Sequence, residues 1–171
     1  MLKINQTNLF NQIPDGILFD TDNTLYPYDP AHQKAMRALK QKISNTLNVP
    51  IIDVENNFNK SRSEVKKLLK NSAASHSRLL YIQRMLEFFG LGSQVLLALD
   101  FEQTYWRVFL SEARLFPGLE KFLEELRLLQ VPMAIVTDLT AQIQFRKMVY
   151  FELDHYFDYI VTSEEVGYDK P

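Results

Sequence analysis

A short apolar run that ends in two aspartates constrains this chain more than any other feature. Residues 16–19 read Gly-Ile-Leu-Phe, and Asp20, Asp22 and Thr24 follow directly. An apolar run this short, bounded by glycine and a polar turn, predicts a buried strand over residues 16–20. Open α/β sheets bind ligands at the carboxyl ends of their strands. Two neighbouring carboxylates repel each other, and Mg²⁺ would keep both ionised. In the simplest alternative, the aspartates only terminate a strand.

Four consecutive helices are predicted after this strand. Asp29-Pro30 begins the first, and Pro50 separates it from the second. Ser75 is the predicted N-cap of the third, which ends at Gly90. The fourth covers residues 93–112, and its apolar stripe, which we expect to pack in a core, contains Leu96, Leu99, Tyr105, Trp106 and Phe109. This run of helices indicates a helical subdomain inserted into another fold.

Helices and strands alternate after Pro117. A strand is predicted over residues 131–137 and another over 157–162, with helices before and between them. Such alternation favours a parallel sheet with right-handed crossovers. Arg146 and Lys147, on the helix between these strands, are predicted to form a solvated face.

Composition excludes several classes of protein. The 171 residues carry 19 basic and 21 acidic side chains, a net charge of -2, which argues against a general nucleic-acid binder. No apolar run approaches the ~18 residues of a membrane span, and the start lacks a signal peptide's apolar stretch. Without cysteine there is no disulfide, no thiolate zinc site and no thiol nucleophile. We expect a cytoplasmic protein.

Three motifs in a fixed order carry a family resemblance. Asp20-Thr21-Asp22-Asn23-Thr24 follows the first strand, Thr137 follows the second, and Lys170-Pro171 comes further on. This set resembles the haloacid dehalogenase (HAD) superfamily, and within it capped phosphatases such as the pyrimidine 5′-nucleotidase-like and acylneuraminate phosphatase-like members. The resemblance implies an α/β fold with a Rossmann-like parallel sheet and an inserted α-helical cap. Residues 1–25 and 113–171 would then form the core, and 26–112 the cap.

The resemblance also implies catalytic roles. Asp20 would be the nucleophile that forms an aspartyl-phosphate, and Asp22 the general acid and base. Thr137 would bind the phosphate, Lys170 would offset its negative charge, and Asp20 and Asp22 would hold Mg²⁺. The second aspartate favours phosphoryl transfer over carbon–halogen cleavage. A phosphomutase of the same superfamily stays open as an alternative.

The expected substrate is a small phosphorylated metabolite, a nucleotide or sugar phosphate, with neither nucleic acid nor membrane as partner. Asp138, Arg78 and His76 are candidate substrate-binding residues. For His76 and Arg78 the alternative is a capped helix start with solvated side chains.

A fourth, acidic motif is expected in this superfamily after a further strand. The chain carries no such motif after Lys170-Pro171, so we expect a sheet whose C-terminal part is missing and whose first strand lies at an exposed edge. We therefore expect weak Mg²⁺ binding and little phosphatase activity from the 171 residues alone. The alternative function is a non-catalytic fragment or half-protein that self-associates through this edge or needs a complementing chain.

Overall fold

A parallel sheet of three strands forms the base of the structure. The computed structural model describes residues 13–170; the predictions that fall on residues 1–12 and on Pro171 lie outside the described residues. The strands are β1 (Ile17–Phe19), β2 (Met133–Thr137) and β3 (Tyr159–Thr162). All pair in parallel in the order β1-β2-β3. The predicted α/β class with a parallel sheet is confirmed.

Helices make up most of the remaining described residues. A 3₁₀ turn at Ala73–His76 lies between the second and third of them. The helices are α1 (Tyr28–Leu47), α2 (Ile51–Leu69), α3 (Arg78–Phe88), α4 (Val95–Glu112), α5 (Leu119–Leu128), α6 (Ala141–Tyr150) and α7 (Ser163–Val166). No helix between residues 13 and 170 combines the length and hydropathy that a membrane span requires.

The strand register brings the carboxyl ends of the strands close together. Thr137, the last residue of β2, pairs with Thr162, the last of β3. Phe19, the last residue of β1, pairs with Ile135, so β1 ends two residues earlier along its neighbour. The loop after β1 therefore begins beside the end of β2. The three segments that carry the sequence motifs therefore start at the carboxyl ends of the strands, on the same side of the sheet.

β1 is buried only in part, and it lies at an edge of the described sheet. Phe19 packs in the core, edge-to-face against Phe122 and Phe157. Leu18, however, is 73% exposed, so the prediction of a buried strand is wrong for this residue. Among residues 13–170, β1 has a partner strand on one side only, and it therefore lies at the edge of the described sheet.

Helices α1–α4 form the helical insertion between β1 and β2. In it α1 packs against α4 and α2 against α3. The core stripe of α4 differs from the predicted one: Leu96 and Leu99 are exposed, while Tyr105, Trp106 and Phe109 are buried as expected. The buried positions start at Ala98 and continue at helical spacing, which places the two leucines on the outer face.

The third helix starts later than predicted. Ser77 Oγ, not Ser75, accepts the N-terminal hydrogen bond, which Leu80 N–H donates over 3.4 Å. Ser75 lies buried in the 3₁₀ turn, where its carbonyl accepts a hydrogen bond from the Tyr81 hydroxyl. This additional turn makes Arg78 the first residue of α3.

Candidate active site

The loop after β1 is a tight turn that holds Asp20 and Asp22 at the end of the strand. The Thr21 carbonyl accepts hydrogen bonds from the amides of Thr24 and Leu25, over 3.3 and 2.9 Å. Asn23 has a φ of 61°, in the left-handed region that asparagine tolerates better than most residues. Because Leu25 is completely buried, the turn is anchored in the core beneath the two aspartates.

Asp20 forms an ion pair with Lys170, the charged residue of the last motif. Its Oδ1 lies 2.7 Å from Lys170 Nζ and accepts a hydrogen bond from the Thr21 amide over 2.8 Å. The backbone of Lys170 is fixed as well, because its amide donates to Asp138 Oδ1 over 2.8 Å. The structure thus brings the first and last motifs into direct contact.

Asp22 is held by a second lysine, Lys147 of α6. Lys147 Nζ lies 2.9 Å from Asp22 Oδ1, and the Tyr26 hydroxyl donates to the same oxygen. The Lys147 side chain is 1% exposed. The prediction that Lys147 shares a solvated face with Arg146 is therefore wrong for Lys147. The spacing contains the missed signal, since Ile143 and Lys147 are four residues apart on the inner face of α6.

Electrostatics tie Lys147 and Tyr26 to the Asp22 carboxylate. Burial lowers the pKa of the Lys147 amine, and the negative charge of Asp22 opposes that shift. Burial and the same carboxylate raise the pKa of the Tyr26 phenol above its usual value. Tyr26 therefore stays protonated and keeps donating, while the charge on Lys147 depends on Asp22 as its counter-ion.

Thr137 lies at the end of β2 with its hydroxyl in a buried network. Thr137 Oγ1 is 2.8 Å from Thr21 Oγ1 and accepts a hydrogen bond from Gln144 Nε2, also over 2.8 Å. The same Gln144 nitrogen donates to the Asp138 carbonyl over 2.6 Å. Gln144 was not singled out in the sequence, although it shares the inner face of α6 with Lys147. The network joins the loops after β1 and β2.

Arg78 and His76 approach the site from the helical insertion. The Arg78 guanidinium lies 4.2 Å from the ring centre of Tyr105 and 4.7 Å from that of Trp106, and it donates to the Tyr28 hydroxyl. His76 Nε2 lies 3.0 Å from a carboxylate oxygen of Asp169, next to Lys170. Neither side chain is merely a solvated helix start.

A cavity of about 850 Å³ separates the helical insertion from the sheet. Asp22, Asp138 and Lys147 line it on the sheet side, and His76 and Arg78 are among the lining residues opposite. Of the predicted site residues, Asp20, Thr137 and Lys170 lie next to this lining rather than in it. The cavity is large enough for a small metabolite.

Asp20 and Asp22 offer oxygen atoms that could bind a hard cation such as Mg²⁺. No group of three or more His, Asp or Glu side chains in metal-binding proximity occurs in residues 13–170. Asp20 offers a carboxylate and Asp22 a main-chain carbonyl, both oxygen ligands of the kind that Mg²⁺ prefers. The Asp22 carboxylate is occupied by Lys147 and Tyr26. These residues fit two positions of an Mg²⁺ coordination sphere.

Proteins named as phosphatases are among the sequence relatives of this chain. The chain is 37% identical over 157 residues to the ribulose-1,5-bisphosphate 5-phosphatase of Halopiger xanaduensis, covering 91% of this chain and 66% of that protein. It is 28% identical over 163 residues to the glyceraldehyde 3-phosphate phosphatase of Methanocaldococcus jannaschii, covering 91% and 65%. The chain thus spans just under two thirds of the length of these relatives.

Solved structures share the fold. The 2-haloacid dehalogenase of Pseudomonas syringae superposes with a TM-score of 0.62 at 22% identity, covering 90% of this chain and 66% of that one. A HAD phosphatase from Thermococcus onnurineus gives 0.59 at 22% identity, covering 88% and 63%. The family profile described as haloacid dehalogenase-like hydrolase matches residues 14–171. With its aspartates, Thr137 and Lys170 gathered at one sheet edge, the chain belongs to the haloacid dehalogenase-like hydrolase family.

Proposed function

We propose that this chain carries the catalytic residues of a phosphatase that hydrolyses a small phosphorylated metabolite through an aspartyl-phosphate. The contact between Asp20 Oδ1 and Lys170 Nζ, 2.7 Å long, supports this proposal most directly. A carboxylate that attacks a phosphate must approach an anion, and an ammonium beside it lowers the repulsion. The phosphatase names of the sequence relatives point to the same reaction.

Asp20 is the nucleophile in this mechanism. One of its carboxylate oxygens bonds to phosphorus while the bond between phosphorus and the ester oxygen breaks, which gives an acyl phosphate and an alcohol. Lys170 lies where it offsets the charge on the phosphoryl oxygens. Water then attacks the phosphorus of the acyl phosphate, which releases inorganic phosphate and restores Asp20.

Asp22 moves the protons. It gives one to the leaving ester oxygen and then takes one from the attacking water. Lys147 and Tyr26 both contact Oδ1, so the other carboxylate oxygen is the one that exchanges the proton. Thr137 and Thr21 position the loops that surround the phosphate. Mg²⁺, held by the Asp20 carboxylate and the Asp22 carbonyl, would draw negative charge from the phosphate.

In this proposal the helical insertion is a cap that covers the site. It covers residues 26–112 in the division proposed from the sequence, and Arg78 and His76 line the cavity from its side. The relatives act on sugar-derived phosphates according to their names, so we favour a sugar phosphate over a nucleotide. A phosphatase cap that supplies Arg78 can recognise the anionic or hydroxyl-rich part of such a substrate.

Phosphate release by the purified chain, with and without Mg²⁺, tests the reaction. We expect release by these 171 residues to be weak but measurable, and Asp20→Asn to reduce it to the background rate, because the nucleophile is lost. Asp154→Asn, at an exposed aspartate in the turn after α6, is the matched control and should leave release unchanged. Release that persists in Asp20→Asn contradicts the proposed mechanism.

A second candidate is a non-catalytic half-protein that associates through β1. The exposed Leu18 at the described sheet edge favours it. Sedimentation at increasing concentration tests this candidate: we expect dimers that Leu18→Lys dissociates, together with no phosphate release. A monomer at every concentration contradicts it.

A further inference from the structure

The cavity between the helical insertion and the sheet carries far more positive than negative charge. In the described part of the chain, six lysines and arginines but only three aspartates line it. The cations are Arg37, Lys40, Arg62, Lys66, Arg78 and Lys147. Lys147 is neutralised by Asp22 and serves the proposed phosphatase site. The other five lie on the helical insertion, and a neutral ligand would not require them.

Four of these cations form two pairs on neighbouring helices. Arg37 and Lys40 are three residues apart on α1, and Arg62 and Lys66 are four apart on α2. Like charges at these spacings share a helix face and repel each other. Of these four cations, only Lys40 links the two helices in the described residues, through Glu55 of α2. The buried residues of both helices are apolar or small, so Arg37, Arg62 and Lys66 are not part of their packing.

Most of this charge has no counter-ion in the structure. Lys40 Nζ lies 2.6 Å from Glu55. For Arg37, Arg62 and Lys66, residues 13–170 offer no carboxylate within 4.0 Å, as the ion pairs of that part of the chain show. Three cations on one cavity wall, none of them in an ion pair in the described part of the chain, leave a positive potential that a bound anion would relieve.

Neighbouring groups respond to this potential. Burial, together with the charges of Arg78 and Arg62, lowers the pKa of His32 to about 4. His32 is therefore neutral near neutral pH, and Tyr105 and Tyr28 lie at hydrogen-bond distance from its Nδ1. Burial, and next the charge of Arg62, lowers the pKa of Lys66 as well. After burial, which is the largest cause in both cases, the charge of Arg62 on α2 acts on Lys66 of the same helix and on His32 of α1.

We propose that Arg37, Arg62 and Lys66 form a second anion-binding subsite, which holds a phosphate group that the enzyme does not hydrolyse. The proposal rests on the phosphatase function above. The substrate would then be a small bisphosphate, with one phosphate beside Asp20 and the other against α1 and α2. A phosphate carries almost two negative charges at neutral pH and three acceptor oxygens, which matches several cations better than a single carboxylate does.

Binding to the Asp20→Asn variant tests the subsite without turnover. Calorimetric titration compares fructose 1,6-bisphosphate with fructose 6-phosphate and with 6-phosphogluconate, which has a carboxylate in place of the second phosphate. We expect the bisphosphate to bind about tenfold more tightly than fructose 6-phosphate, and more tightly than 6-phosphogluconate, with the preference falling as salt rises. Equal affinity for all three compounds, or binding of none of them, overturns the subsite.

Substitutions on α2 test whether Arg62 and Lys66 cause the preference for the bisphosphate over fructose 6-phosphate. The double variant Arg62→Gln and Lys66→Gln, in the Asp20→Asn background, should reduce the preference to about twofold or less and leave the affinity for fructose 6-phosphate within about twofold. Lys67→Gln is the matched control: it removes a neighbouring exposed lysine outside the cavity lining and should keep the preference. Thermal unfolding verifies that all variants are folded.

A preference that survives the double variant overturns the assignment of Arg62 and Lys66. A different result, phosphate release that persists in Asp20→Asn, would contradict the proposed reaction. The two failures are therefore distinguishable, since the binding preference does not depend on turnover.

Discussion

The two walls of the cavity treat their charges in opposite ways. On the sheet side, Asp22 in the lining forms an ion pair with Lys147, and Asp20 beside the lining forms one with Lys170. On the helical side, Arg62 and Lys66 share one helix face without an acid partner in the described residues. Paired charges fix the position of reactive groups before a ligand arrives. Unpaired ones repel each other and gain most when an anion enters.

Charges that hold the structure together can thus be distinguished from charges that are available to a ligand. Removing a partner from a buried pair leaves a charge without compensation, which is costly. Removing one of several repelling charges on an open wall costs little and can be favourable. Substitutions of paired charges on the sheet side should therefore lower stability most, whereas substitutions of unpaired cations on the helical side should mainly weaken the binding of an anion.

Lys147→Met should give the largest loss of stability. The substitution keeps an unbranched side chain, one atom shorter and without the charge, and leaves the partly buried Asp22 with Tyr26 alone. We expect the free energy of unfolding to fall by about 2–3 kcal/mol, measured by urea denaturation. Arg146→Met, at the exposed neighbouring position, should change it by no more than about 0.5 kcal/mol. Equal losses in both variants would contradict a structural pair at Asp22.

Gln144→Met tests the hydrogen-bond network that joins the loops after β1 and β2. The methionine fills a similar volume but gives neither Thr137 Oγ1 nor the Asp138 carbonyl a donor. We expect a loss of about 1–2 kcal/mol in urea denaturation. Gln142→Met, two residues earlier on the exposed side of α6, is the control and should be close to neutral. A loss as small as that of the control would mean that Gln144 is not needed to hold the loops.

The sequence predicted the sheet side of the site better than the helical side. Asp20, Thr137 and Lys170 follow predicted strands, and parallel strands necessarily bring their carboxyl ends together, so their proximity follows from local patterns. Lys147 was missed because a lysine on a helix is usually solvated, and only the tertiary packing of α6 buries it. The start of α3 was misplaced because Ser75 and Ser77 are equally good caps in sequence, and the 3₁₀ turn decides between them.

The charge pattern of the cavity was beyond the reach of local patterns. Arg37 and Arg62 lie on separate helices, and only the packing of α1 and α2 in the helical insertion places both along one cavity. The sequence predicted an exposed edge at the first strand but not which side chain would be exposed, since a short apolar run does not reveal which face of a strand is covered. In each case the deciding contact joins residues far apart along the chain.

His32 should make the helical side sensitive to acid. Its pKa is about 4 in the folded chain and 6.5 in the absence of burial, so below about pH 6.5 the unfolded chain binds the proton more readily. The contribution of neutral His32 is therefore present above this pH and is lost as the pH falls towards about 4. Because His32 stays partly exposed, we expect a loss of only about 1 kcal/mol. Urea denaturation from about pH 7 to about pH 4 should show this loss in the wild-type chain but not in His32→Gln.

Lys66→Gln should have the smallest effect, and its sign distinguishes the two walls. Burial, and next the charge of Arg62, lowers the pKa of Lys66, so folding disfavours the charge that the substitution removes. We expect the free energy of unfolding to stay constant or to rise by up to about 0.5 kcal/mol at low salt, and this gain to become smaller at high salt, where the repulsion from Arg62 is screened. Lys40→Gln is the contrasting control, because Lys40 is paired with Glu55 and its loss should be neutral or slightly destabilising. A clear loss of stability in Lys66→Gln would mean that Lys66 supports the fold, and the helical wall would then resemble the sheet wall instead of a surface that is poised for an anion.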